Sequence, residues 1–372
     1  MSIPNLSSRL GLALGFVSCA WVGRYLAFAR MSKTTRTLGP TLLLLSTVMT
    51  LAWDYEGHRL VNQLALASLP TNFPAFVRSP AAAERIAFLA GEADRWRNTP
   101  DLPLQHCNEP DHYIDLEELD LYGLETKTLP SLRYDFISQL TLVRRAHPQS
   151  FPAVDPVNNK AHVRELVGLL PWAIAENYGK LKSGFSYLKA FEEDNGTPEE
   201  IANAQQNIIY VMGVMGHYLG DASQPLHSTI HHHGWVGANP RGYTTNRSFH
   251  SWIDGGYFRK TGALKTPDLK TRVRTARLVS IGGRPVEPEQ MFQAGVAFIE
   301  EQFHLLEPLY QLEKDGKLSG DPGLGQEGTS FLQDQLLKAG QMLGDLWFSA
   351  WQHAPPDKYL KEQLAKRKTN QR

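Results

Sequence analysis

Among the thirteen histidines of this chain, two are followed four residues later by aspartate within helical-looking stretches: His217 and Asp221 in GHYLGD, and His250 and Asp254 in FHSWID. Residues four apart on a helix share a face about one turn apart. An imidazole and a carboxylate so placed can grip one borderline cation such as Zn2+. The spacing alone is a weak signal, because a helix-face hydrogen bond accounts for either pair equally well. His353 and Asp357 show the hazard: they share the spacing, but Pro355 and Pro356 between them preclude a helical turn.

A larger pattern gives the first pair weight. The stretch from Asn203 to Asp221 continues into Gly220-Asp221-Ala222-Ser223-Gln224-Pro225-Leu226-His227, where Pro225 ends the helix and returns His227 towards its C-terminal end. Upstream stand Trp53-Asp-Tyr-Glu-Gly-His58, Ala93-Asp94-Arg95-Trp96-Arg97 and Asp111-His112-Tyr113-Ile114-Asp115. Six elements in this order, from residue 53 to 254, resemble the zinc-dependent S1/P1 nuclease and phospholipase C superfamily.

The resemblance implies a mainly helical enzyme with three zinc ions. One would take Asp94, His112, His217 and Asp221; a second would take His227, His250 and Asp254. The third would take His58, the shared Asp221, and the α-amino nitrogen and carbonyl oxygen of Trp53. Two zincs sharing Asp221 would lower the pKa of a bridging water and supply hydroxide for attack on a phosphoester. Arg97 matches an Asp-x-x-Arg pattern and would contact phosphate or ligand carboxylates. Asp115 would orient a ligand imidazole. A structural salt bridge is an equal reading for both.

The chain departs from the family in one loop, where nucleases often carry Gly-Gly-Asn and this sequence reads His231-His-His-Gly-Trp-Val-Gly-Ala-Asn239-Pro-Arg-Gly-Tyr243. The loop is expected to border the metal cluster. Asn239, Arg241, Trp235 and Tyr243 are its candidates for contact with substrate, against the plainer reading of a packed turn. The His231–His233 tract is either a polar surface loop or an extension of the site. His106, His147, His162 and His304 fall in no matching motif and read as structural.

These residues need helices to hold them. Apolar residues recur at three and four spacing over Asn203–Asp221, over Glu289–Glu307 with Pro308 as the stop, and over Leu332–Trp351. Shorter patterns cover His58–Leu69, Glu84–Trp96, Leu132–Arg145 and His162–Lys189. Alternating runs are scarce, so the expected fold is all-α, a single mainly helical domain. The expected loops are Asn98–Pro110, Pro148–Lys160, Gly234–Ser248 and Asp315–Thr329.

Lys and Arg number 38, as do Asp and Glu, which excludes a basic nucleic-acid clamp but not an enzyme. The neutrality averages two unlike parts. Residues 1–52 carry Arg9, Arg24, Arg30, Lys33 and Arg36 and no acid, whereas residues 53–372 carry 33 basic and 38 acidic residues and every histidine. From Met31 a basic start, an apolar run from Thr41 to Leu51 and then Ala52 read as a signal peptide, with residues 1–30 either an upstream extension or untranslated sequence before Met31. Retention of the leader as an anchor is the other reading. Cleavage after Ala52 would free the Trp53 amine and leave residues 53–372 as a secreted or periplasmic domain with no stable membrane association. Cys19 lies in the leader, so that domain would hold one thiol, Cys107, and no internal disulfide.

The leading functional expectation is a phosphodiesterase or endonuclease acting on single-stranded DNA or RNA, with 3′-nucleotidase activity possible for the class. A zinc phospholipase C and a non-catalytic zinc-binding export are the alternatives. No protein partner is implied.

Overall fold

In a computed structural model, the described residues are 55–264, 266–323 and 325–370. The leader, its cleavage point and Trp53 lie outside them. Helices follow in the order α1 (Tyr55–Ser68), α2 (Pro80–Leu89), α3 (Glu92–Arg97), α4 (Leu102–Asn108), α5 (Arg133–Ala146), α6 (Leu170–Glu193) and α7 (Pro198–Ser223). After the loop that holds the histidine tract come α8 (Phe249–Ser251), a π-turn over Trp252–Gly256, α9 (Tyr257–Thr261), α10 (Thr266–Lys270), α11 (Met291–Phe303), α12 (Leu306–Lys314), α13 (Gln326–His353) and α14 (Lys358–Asn370). One two-residue hairpin, Ser280–Ile281 against Arg284–Pro285, is the strand pairing among the described residues. The domain is mainly helical, as the periodicity predicts.

The centre of the fold is α7. Thr197 caps its start in a reciprocal box: the hydroxyl accepts from the Glu200 N–H, and the Glu200 carboxylate accepts from the Thr197 N–H. Pro198 follows at the first helical position, where its missing N–H costs nothing. The helix then buries Ile208, Ile209, Met212, Met215 and Leu219 against α6, α13, α2 and α1. Each such side chain contributes roughly 1.5–3 kcal/mol on leaving water. It stops at Ser223 because Gln224 turns extended ahead of Pro225.

Two glycines let α1 lie close against the C-terminal half of this helix. A Cβ on Gly216 would fall 1.6 Å from Asn62 Oδ1, and one on Gly220 would fall 2.5 Å from His58 Nδ1. Asn62 uses the clearance to donate to the Ile86 and Gly213 carbonyls at 2.7 and 2.9 Å. The helix that carries His58 is thus tied to the helix that carries His217.

Several boundaries differ from the sequence reading. Asn98–Pro110 contains α4, which Asp101 caps by accepting from the Leu104 N–H at 3.1 Å. The Glu84–Trp96 pattern divides at Ala90 and Gly91 into α2 and α3. The His162–Lys189 pattern becomes helical only from Leu170, since His162 and Gly168 adopt positive φ. The Glu289–Glu307 helix ends at Phe303, not at Pro308. Pro308 stands in the first turn of α12, where no intrahelical N–H is required. Of the other expected loops, Pro148–Lys160 and Gly234–Ser248 carry only short turns, whereas Asp315–Thr329 gives its last residues to α13, which begins at Gln326. No helix among the described residues is long and apolar enough to cross a membrane.

Replacing Gly216 with Ala should push α1 off α7 and cost roughly 1–3 kcal/mol, the usual cost of overpacking. Urea denaturation should register this as a lower midpoint with little change in slope.

Candidate metal centre

Seven elements deliver eight ligand-type side chains to one end of α7. His58 comes from α1, Asp94 from α3, and His112 from a 3-10 turn over Glu109–His112; His217 and Asp221 come from the last turns of α7. His227 arrives on the Pro225–Ser228 turn that Pro225 imposes, and His250 and Asp254 span α8 and the π-turn. An inserted π-turn frequently marks a functional site. Here it still leaves His250 Nε2 2.9 Å from Asp254 Oδ2.

The side chains form three groups whose ligand atoms lie within 4.8 Å of one another: His58, Asp94 and His217; His112, His217 and Asp221; and His227, His250 and Asp254. All three groups can hold a metal ion. The third coincides with the set expected for the second zinc. The expected first set is divided, with His217 common to two groups. His58 stands nearest Asp94 and His217, but its Nε2 is also 3.5 Å from Asp221 Oδ1, the pairing anticipated from the sequence. Trp53 lies outside the described residues.

Asp221 is the hub. His112 Nδ1 lies 2.9 Å and His217 Nε2 3.3 Å from its Oδ2, while His227 Nδ1 lies 3.8 Å from Oδ1. Imidazole nitrogens also confront one another, His217 Nε2 with His112 Nδ1 at 3.0 Å and His227 Nε2 with His250 Nε2 at 3.0 Å. The rings are aimed by main-chain carbonyls. His217 Nδ1 donates to Ala90 O at 2.8 Å and His227 Nδ1 to His112 O at 2.6 Å, which leaves each Nε2 with a free lone pair. Asp115 makes no such contact. Its Oδ1 is buried without a hydrogen bond, and burial with the nearby Glu118 and Glu117 charges holds its carboxyl well above the usual range.

Protonation tests whether this donor set fits a cation. Burial pushes His58 down to about 3, His250 to about 3 and His112 to about 4. Those imidazoles are neutral at pH 7, as ligation requires. Burial opposes the charge on Asp221, but His227, His217 and the His112 hydrogen bond outweigh it and hold the carboxyl well below its usual value. His217 is raised because the Asp221 and Asp94 charges overcome its own burial. Both carboxylates thus converge on His217, in the place a divalent cation would fill. His112 Nε2 and Asp221 Oδ1 are buried and accept or donate no hydrogen bond, a deficit that a bound ion relieves. Nitrogen and carboxylate donors of this kind suit Zn2+.

Over the groups lies a cleft of about 480 Å3. His112, His227, His250 and Asp254 form its floor, and Arg97, Arg164 and Arg247 reach it from three separate segments. Arg97 Nε pairs with Asp94 Oδ1 at 2.9 Å, so it sits against a ligand carboxylate as its motif suggests. The candidate substrate residues of the loop are placed differently. Trp235, Arg241 and Tyr243 line another cavity, of about 690 Å3. Arg241 pairs with Glu307 at 2.7 Å, and Asn239 holds the turn by bonding both the N–H and the carbonyl of Tyr243 at 2.8 Å. The loop borders the cleft through His232, His233 and Arg247 instead.

Sequence reasoning passed over several residues. Gln224 donates to Asp254 Oδ1 at 2.8 Å from within the 217–227 element, where only spacing marked its place. Arg164 and Arg247 belong to no periodic pattern and become visible only when loops converge. Of the histidines outside the motifs, His106 bonds Ala161 O at 2.7 Å, His304 lines the cavity of about 690 Å3, and His147 and His162 are exposed. His353 bonds the Tyr178 hydroxyl at 2.9 Å, while Asp357 caps α14 by accepting from the Leu360 N–H.

No family model matches the chain, and no curated protein matches it. Among solved structures it is similar to the alpha-toxin of Clostridium perfringens isolated from avian strain SWCP, at 13% identity and a TM-score of 0.33, over 82% of this chain and 64% of that one. The chain thus spans less than two thirds of that protein's length.

Burial also raises Asp254 to about 8. In the metal-free chain it keeps its proton at pH 7 and must lose it on ligation. Zinc uptake by chelator-stripped chain should release protons at pH 7, and the affinity of the Asp254 group should rise with pH until about 8 and then level off. Calorimetry in buffers of different ionisation enthalpy measures this, and proton-neutral uptake at pH 7 would contradict it.

Proposed function

We propose that the chain is an exported zinc-dependent phosphodiesterase that cleaves single-stranded nucleic acid. The observation that carries this reading is the cleft itself: histidines and aspartates arranged to hold cations form its floor, and guanidinium groups line its sides. A site of that composition favours a phosphoester over a neutral ester. His227, His250 and Asp254 would hold one zinc; Asp94, His112, His217 and Asp221 would hold a second; and His58 with Asp221 and the freed Trp53 terminus would hold a third. Bound there, zinc supplies Lewis-acid polarisation of the phosphoryl oxygens and activation of water near neutral pH.

The remaining roles belong to the chain. Arg97, fixed by Asp94, presents its other guanidinium nitrogens to a phosphate oxygen. The Ala90 and His112 carbonyls keep His217 and His227 in the tautomer whose Nε2 is free to bind metal. Gln224 orients Asp254. Asp115 is a cleft-lining carboxyl biased towards its protonated form, suited to donating a hydrogen bond rather than to binding metal. Cleavage after Ala52 creates the Trp53 amine five residues before His58, and an upstream peptide bond would remove that donor.

The mature chain should hydrolyse single-stranded DNA or RNA when tested beside phosphatidylcholine, and Asp94→Ala should lower kcat by at least about a hundredfold while the fold persists. Turnover of lipid alone would sink the nuclease reading in favour of a phospholipase C. Full hydrolysis by Asp94→Ala would remove the metal group from the reaction.

One residue added before Trp53 should lower zinc content by about one ion per chain and reduce activity. Mass spectrometry under native conditions counts the ions, and an unchanged count would exclude the terminal amine as a ligand.

A further inference from the structure

Two arginines at the cleft are left over once the metal groups and Arg97 are assigned. Arg164 lies in the connection between α5 and α6, and Arg247 in the loop that follows the histidine tract. Both are exposed, both line the cleft, and neither pairs with a carboxylate among the described residues. Their backbones are held firmly. Asn159 Oδ1 accepts from the Val163 and Arg164 N–H groups at 3.0 and 3.1 Å, while Asn246 Oδ1 accepts from the Ser248 N–H at 2.9 Å. Segments remote in sequence thus bring two guanidinium groups and the His232 imidazole to one cleft. His233 lines the same cleft, its ring 5.6 Å from that of His250.

Glu109, Asp115 and Glu118, all from one short stretch, also line the cleft. A single phosphate over the floor needs only the cations and Arg97. Arg164 and Arg247 have no partner in that arrangement. A strand with phosphates on either side of the scissile one supplies that partner.

Resting on the nuclease reading above, we infer that Arg164 and Arg247 bind a phosphate of the nucleic-acid strand neighbouring the one being cleaved. The site then selects polymers over dinucleotides. Arg164 and Arg247 are specificity-determining residues and do not touch the reacting atoms. Guanidinium forks match phosphate oxygens bidentately.

The zinc-loaded mature chain and its Arg164→Gln/Arg247→Gln variant decide the matter. Binding of a phosphorothioate decathymidylate, followed by fluorescence anisotropy, should weaken about tenfold or more in the variant. The slope of log affinity against log salt should fall by about 0.7, as loss of one single-strand phosphate contact requires. Hydrolysis of a thymidine dinucleotide with one phosphodiester should stay within about twofold, zinc content should be unchanged, and Arg164→Lys/Arg247→Lys should restore most of the affinity. Unchanged decanucleotide affinity overturns the inference, and so does an equal loss on both substrates, which would mark a structural or scissile-phosphate role. If the wild-type chain hydrolyses only phosphatidylcholine, the nuclease reading falls by that result, and decanucleotide affinity still decides this one. Loss of anionic-vesicle binding without loss of oligonucleotide binding also overturns it.

Discussion

A carboxylate with no solvent exposure stands at the negative end of a helix. Asp221 occupies the last turn of α7, where the macrodipole and burial both oppose its charge. Such a group survives only among positive or strongly donating partners. Every neighbouring element supplies one: His58 from α1, His112 from a 3-10 turn, His217 from one turn back, and His227 from the segment that Pro225 folds over. The architecture around α7 is the means of bringing these groups together, and the glycines at 216 and 220 are the clearance that lets α1 approach.

The need for positive charge also explains why the histidines differ so much from one another. Burial holds His58 and His112 down to about 3 and about 4, whereas His217, between Asp94 and Asp221, is raised because those charges outweigh its own burial. A divalent cation satisfies both carboxylates at once. At the third group the balance is reversed. Asp254 is buried with Gln224 as donor and keeps its own proton, so it enters ligation only after deprotonation. Binding and proton release are therefore coupled through Asp254.

Much of this site was legible in the sequence because its chemistry is written in short local units. His217, Asp221 and His227 are tied together by a helix turn and a proline, and His250 and Asp254 by one turn, so spacing alone brings each set to a common point. Helix existence was equally legible in the periodic stretches. Boundaries were not, because Pro308 can start a helix as well as end one, and the break at Gly91 leaves no gap in the apolar pattern. Loop residues were the least legible. Trp235, Arg241 and Tyr243 have the composition of a ligand-contacting loop, but their placement depends on packing against α12. Arg164 and Arg247 reach the cleft only through tertiary convergence, which no local period reports.

The central claim is that the groups around Asp221 and Asp254 exist to hold metal. Anomalous diffraction at the zinc edge, from crystals of residues 53–372 purified without added metal, tests it directly. The account predicts zinc peaks within bonding distance of His217 and Asp221 and of His227, His250 and Asp254. Ordered imidazole–carboxylate hydrogen bonds with no anomalous density at either place would contradict it.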